Sequence, residues 1–275
     1  MKQIDQNNIL INRAVNSYRP AIFLAIISLT IAAFLWWLIS RLGNFPSFIL
    51  PSPMDVWHRF VLSITDGSLL RNSLVTLQEI VLGLTLGVSV ATILGYFLAK
   101  SHTFEKIISP YIVASQSVPI VAIAPILIIW FGPGIFSKIL ICSLTVFFPV
   151  LVNTVVGLRS VPEELQDLMR SLKSTRWQTI SKLEIPGALP VFLGGLRVGA
   201  TLSVIGAVVG EFVGSDKGLG FLINLGRGQY DTALVFVSVF TLILIAMSLY
   251  GIVVILEKRL LSWQQSSKDT ILEHQ

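Results

Sequence analysis

Six runs of about twenty residues pass through this chain almost without charge, each long enough, at 1.5 Å per helical residue, to cross a hydrocarbon layer about 30 Å thick. They cover residues 21–40, 80–99, 107–130, 139–158, 191–210 and 233–256. Arg197, near one end of the fifth run and able to snorkel, is the one charge inside them. Charges are missing in blocks rather than thinned evenly. With 53% apolar and 13% charged residues in 275, against roughly 45–50% and about 25% in a soluble domain, the predicted fold is all-α and polytopic. About six transmembrane helices are expected in one domain over 21–260, with short polar tails at 1–20 and 261–275.

The same composition excludes several functions. Cys142 is the single cysteine and lies within an apolar run, so there is no disulfide framework and no cysteine-based zinc site. His58, His102 and His274 have no ligand spacing, so no metal site is expected. The net charge of +5 comes from residues that flank apolar runs and form no aromatic-interleaved patch, which argues for a bilayer and against nucleic acid. The first run is too long for a signal-peptide core of roughly 7–15 residues and has no A-x-A site after it, so it is read as a helix. With the N-terminus inside, 14 of the 20 Lys and Arg fall on the inner side, and the positive-inside rule then puts both termini in the cytoplasm.

The third run is irregular. Pro110, Pro119, Pro125 and Pro133 each remove a backbone donor that lipid cannot replace, so a broken or re-entrant segment is expected there, buried against protein or lining a cavity.

Between the fourth and fifth runs, residues 159–190 carry helix signals where a plain connection needs only a few residues. Pro162 suits a first turn, Glu163 and Glu164 follow it, and Arg170 lies near the far end. Leu165, Leu168, Met169 and Leu172 then recur at i, i+3, i+4 and i+7 to form one apolar stripe. Thr175 with Gln178 reads as a capping box that opens a second helix carrying Trp177, Ile180 and Leu183, and Pro186 is expected to end it. Such a segment either lies on lipid headgroups or docks to a cytosolic partner.

Here the residues resemble a known family. The spacing from Asp167 to Pro186 is similar to that of the cytoplasmic loop of ABC importer permeases, E-A-A-x3-G-x9-I-x-L-P. Asp167, Leu168 and Met169 stand at Glu-Ala-Ala, Lys173 at Gly, and Leu183 to Pro186 at I-x-L-P. Lysine at the glycine position can take a positive φ only at a cost of about 1 kcal/mol. "LPSPMDVW" from Leu50, "APILIIWFGPGIFSKI" from Ala124, "FFPVLVNTVVGL" from Phe147 and "GEFVGSDKGLGFLI" from Gly210 resemble the nitrate, sulfonate and taurine branch, and the resemblance extends over 46–260.

The resemblance implies a type I (MetI-like) importer permease of the bacterial inner membrane, with a coupling helix between helices 4 and 5. Its implied partners are a second copy of the chain, two cytosolic ATPases and an external solute-binding protein. ATP would bind on the partner, and this chain would have no cofactor, no metal and no catalytic residue; consistently, no G-x-x-x-x-G-K-[ST] is present. The coupling residues would be Leu165, Asp167, Leu168, Met169, Leu172, Lys173, Thr175, Trp177 and Pro186. The wording around Gly210 resembles permeases assigned to pyrimidine-type vitamin precursors or riboflavin, with sulfonate, taurine or nitrate as the alternative. A secondary transporter would need coupling charges inside its spans, which are missing, and a non-transport membrane scaffold is the remaining reading outside the class.

Three residues are candidates for the translocation path. Gln116 and Asn153 are amides inside runs, there either for interhelical hydrogen bonding or for contact with solute. Glu211, at the outer end of the fifth run, is either an interfacial charge or a solute or binding-protein contact. Glu79 is expected to pair with Arg71 or water. Gly195 and Gly199 form a G-x-x-x-G suited to close helix packing.

Overall fold

A computed structural model describes residues 23–24, 27–43 and 45–262, and all regular structure among them is helical. Most of both expected tails lies outside the described residues. The elements are α1 (Ile27–Leu42), α2 (Pro53–Thr65), α3 (Ser68–Lys100), α4 (His102–Gln116), α5 (Ile120–Phe131), α6 (Ile135–Arg159), α7 (Glu163–Ser171), α8 (Arg176–Thr179), a π-helical turn (Ile180–Glu184), α9 (Ile185–Gly214), α10 (Leu219–Gly228) and α11 (Thr232–Leu260). Four continuous helices are long and apolar enough to span, namely α3, α6, α11 and the α8-to-α9 rod Arg176–Gly214. The third expected span is broken: α4 and α5 meet at 97°. The first corresponds to α1, which is shorter than the others among the described residues.

The described residues divide into two compact units, those up to 62 with 226–237, and 63–225 with those from 238 onward. In the first, Trp36 Nε1 donates to Pro51 O at 3.2 Å and its ring stacks on Phe236. Arg59 pairs with Asp231 at 2.7 Å, and Asp231 Oδ1 accepts the Leu234 N–H at 3.0 Å, an N-cap for α11.

The second unit is built on α6, which packs against both α3 and α9. Lipid supplies no hydrophobic drive for helices to associate, so the contact relies on small residues that let backbones approach. A Cβ on Gly83 of α3 would lie 2.5 Å from Cys142 Cβ, and one on Gly206 of α9 would lie 2.7 Å from Cys142 Cα. Cys142 is therefore clamped between two helices, and its Sγ donates to Ser203 O at 3.3 Å. Gly195 and Gly199 of the expected G-x-x-x-G lie against α6 at Asn153 and at Val146 and Val150. Below this contact Ala91, Leu98, Val146, Val150 and Leu151 form a buried cluster, on which Phe104, Ile108 and Ile112 of α4 pack.

Arg197 reaches along the bundle to Glu257 near the C-terminal end of α11, with which it pairs, and lies over the Tyr250 ring.

Gly206→Val drives two methyls into the α6 backbone and is expected to destabilise the chain by about 1–3 kcal/mol or more. Gly194→Ala, where nothing lies within 4 Å of an added Cβ, is expected to be neutral. Thermal melting of the detergent-solubilised chain by size-exclusion fluorescence checks both.

Candidate functional site: the α7–α8 segment and the ends of the helical core

α7 begins after Pro162, whose ψ of 139° marks the turn into the helix, and Glu163 and Glu164 supply the negative charge its N-terminus favours. It ends in a Schellman motif. The Ser174 N–H bonds to Met169 O at 3.0 Å, the Lys173 N–H bonds to Arg170 O at 2.9 Å, and Lys173 takes φ 51°. Lys173 thus occupies a left-handed position where glycine is at ease. The expected capping box follows, with Thr175 N–H to Gln178 Oε1 at 2.8 Å and Gln178 N–H to Thr175 Oγ1 at 3.3 Å.

Pro186 does not end the second helix. α8 runs through the π-helical turn into α9 as one rod of 39 residues. Proline clashes with the carbonyl four residues back and cannot donate to it. The turn at Ile180–Glu184 widens the ladder, the Ile185 N–H bonds to Ile180 O, and Pro186 falls in the first turn of α9, where its missing donor is harmless.

The stripe on α7 is uncovered. Leu165, Leu168 and Leu172 are 43%, 53% and 68% exposed and Trp177 is 74% exposed, while Met169 is half-buried. Asp167 and Arg170 pair at 3.0 Å on the exposed side. The segment is anchored from below: Lys100 Nζ donates to Glu184 Oε1 at 2.6 Å, and Arg159 forks onto Glu105 at 2.7 and 2.8 Å while also bonding Leu98 O. These charges hold the ends of α3, α4 and α6 beside the turn that leads into α9.

At the opposite end of the core the structure corrects two expectations. Glu211 is no interfacial charge, and Glu79 faces Lys138 rather than Arg71. Both are buried. Lys138 Nζ lies 3.1 Å from Glu79 Oε1 and donates to Ser215 Oγ at 2.6 Å. Thr76 donates to Glu211 Oε1 at 2.6 Å, and Glu211 Oε2 accepts the Gly220 N–H at 2.5 Å. Asn72 Oδ1 accepts from Gly218 N–H at 2.7 Å and Thr76 Oγ1 from Leu219 N–H at 2.8 Å. Three side chains thereby satisfy the free donors at the start of α10, a cap assembled from other helices. No sequence pattern announces it, because Asn72, Thr76, Glu79, Lys138 and Glu211 come from three separate helices.

The amides part company. Asn153 Nδ2 donates to Pro149 O of its own helix at 2.8 Å and makes no interhelical bond among the described residues. Gln116 is exposed at the α4–α5 break. Its helix lines a cavity of about 310 Å³ with α6. A larger apolar cavity, about 470 Å³, lies between α3, α6 and α9 beside the π-helical turn.

Comparison with known proteins identifies the architecture. The family model for the binding-protein-dependent transport system inner membrane component matches residues 83–262, well over half of the chain. This chain belongs to that family. The permease is 44% identical to the riboflavin transport system permease protein RibX of Chloroflexus aurantiacus, over 90% of this chain and 92% of the relative. It is 32% identical to the formylaminopyrimidine transport permease protein ThiX of Halalkalibacterium halodurans, over 92% and 98%. It is 29% identical to the taurine transport system permease protein TauC of Escherichia coli, over 93% and 98%. Among solved structures, the inward-facing MetNI methionine ABC transporter superposes with a TM-score of 0.62 at 17% identity, covering 71% of this chain and 97% of that one, a likeness of fold. The permease is a multi-pass membrane protein and an ABC importer subunit. It is not an enzyme, since ATP hydrolysis belongs to a separate subunit in this class.

Two outcomes test these sites. Lys173→Gly relieves the left-handed strain by about 1 kcal/mol, so protection of the Ser174 amide in hydrogen exchange is expected to rise about fivefold. Lys138→Met leaves Glu79 buried without its counter-charge and is expected to cost about 3–5 kcal/mol. The double variant with Glu79→Met is expected to recover most of the lost melting temperature.

Proposed function

We propose that two copies of this permease, two cytosolic ATPases and an external binding protein together import riboflavin or a related pyrimidine-type vitamin precursor. The observation that carries the mechanism is the uncovered stripe of Leu165, Leu168 and Leu172 with Trp177, on a segment that is otherwise charged and anchored from below. An amphipathic helix of this kind docks into a groove on its partner. Met169, half-buried at the edge of the stripe, and Asp167, Lys173, Thr175 and Pro186 shape the docking surface. Nucleotide-driven closure of the ATPases brings the two docked segments together, and the rod from Arg176 to Gly214 carries that motion across the membrane. Both termini face the cytoplasm, the side to which the Lys and Arg bias assigns α7. ATP stays on the partner and this chain holds no cofactor.

For the solute, relatives named for riboflavin and for formylaminopyrimidine sit beside others named for taurine and aliphatic sulfonates. The electrostatics favour the first pair. Lys138 and Arg197, the cations that are buried or half-buried in α6 and α9, are each held by a carboxylate. Among the described residues, a sulfonate or nitrate entering the core would meet no cation that is not already paired with a carboxylate, and an uncharged heterocycle needs none.

The complex is reconstituted in liposomes with its ATPase and binding protein, and uptake of labelled riboflavin is measured. ATP-dependent uptake that excess taurine does not compete is expected. Met169→Arg places a charge against an apolar groove and is expected to lower co-purification of the ATPase at least about tenfold, the equivalent of 1.4 kcal/mol. Taurine uptake in place of riboflavin would overturn the solute, and wild-type permease that recovers no ATPase would overturn the docking role of α7.

A further inference from the structure

At the α4–α5 break, exposed polar side chains reach membrane depth. α4 stops at Gln116, α5 starts after Pro119, and the two are bent by 97°. Ser115, Gln116 and Ser117 follow one another there, and all three are exposed. Depth is read from α6. Gln116 lines the same cavity as Leu151 and Val152, which stand about one turn past the middle of α6. The break therefore lies near mid-membrane.

The two hydroxyls donate to their own helix, Ser115 to Ile112 O at 2.8 Å and Ser117 to Val113 O at 3.3 Å, and so present acceptor oxygens outward. The Gln116 carboxamide has no hydrogen-bond partner among the described residues. Two helix ends add backbone groups of their own at the same place. Lipid cannot solvate such a cluster, so non-helical backbone at this depth is tolerated only against protein or along a water-filled cavity. A cavity is present. Ser109 and Gln116 are its uncharged polar lining, Ile112, Val152 and Val156 are apolar wall, and the Arg159–Glu105 pair, neutral as a unit, stands at its α7 end.

We propose that the α4–α5 break is where the translocated solute is held in mid-membrane. The Gln116 carboxamide, with Ser109 further along the same wall, hydrogen-bonds the edge of an uncharged, amide- or ureide-bearing ring, and the apolar wall of α4 and α6 takes its face. A carboxamide both donates and accepts, which matches the alternating N–H and C=O of such a ring and offers an anion no charge. The assignment rests on the importer reading above and narrows it to a residue and a ligand chemistry.

Cys142 is fully buried, so the wild-type chain provides a silent thiol background. In the assembled transporter in liposomes, Gln116→Cys and Ser117→Cys are treated with a charged, membrane-impermeant thiosulfonate, and label is read on the permease band. Leu244→Cys, exposed on apolar α11, is the lipid-facing control. Modification of the two test positions at least about tenfold faster than the control is expected, because the charged reagent does not partition into lipid. Riboflavin is expected to slow that modification. Gln116→Cys that reacts only with a lipid-soluble maleimide faces lipid, and Gln116→Cys inert to both reagents is covered by the second copy; either overturns the proposal. Rapid labelling that riboflavin leaves unchanged, in a transporter that takes up riboflavin, also overturns it while the importer reading stands. The accessibility comparison needs no solute, so absence of riboflavin uptake would count against the solute reading alone.

Discussion

Lipid offers no hydrogen bonds, and that single deficit accounts for most of the polar arrangement in this permease. Hydroxyls on the long helices bond to a backbone carbonyl four residues back, as those of Thr85, Thr92, Thr145 and Thr154 do. Charges follow the same rule at larger scale. Lys138 and Glu79 are buried together, and Arg197 is matched by Glu257. A buried pair of this kind adds little net stability over an apolar pair of equal volume, but loss of one partner is severe. Such pairs therefore specify which helix lies against which.

With no hydrophobic drive between helices in lipid, association falls to close packing. α6 is the element around which this is arranged, since glycines on α3 and α9 both converge on Cys142. The cysteine is small, polarizable and sealed on both sides, and its role is volume rather than reactivity. The Glu211 network at one end and the Lys100–Glu184 and Arg159–Glu105 pairs at the other then fix the loops to this core.

Much of this was legible in the residues and some was not. Apolar run length found the long helices, and the prolines of the third run marked the break, because both signals are local. The capping box at Thr175 and the turn at Lys173 were equally local, and the structure has them. Glu79 and Glu211 were misread because their partners lie on other helices, and no spacing along one helix reports a neighbour across the bundle. Pro186 was misread for a different reason. Proline announces a lost donor, and whether the helix stops or widens depends on the turn before it, where Ile180–Glu184 takes the wider ladder.

That widened turn sets a phase relation. A π-helical turn behaves as one residue inserted into an α-helix, and each residue of an α-helix turns the chain by about 100°. The direction in which Trp177 and the attached α7 stripe face, relative to Gly195, Gly206 and Glu211 further along the same rod, is thus fixed by the extra residue between them. Shortening Ile180–Glu184 by one residue would leave composition and hydropathy almost untouched, yet would swing the exposed α7 stripe about a quarter-turn around the rod's axis. The facing of the α7 stripe relative to the packed core is, in this sense, a matter of angular register written into five residues.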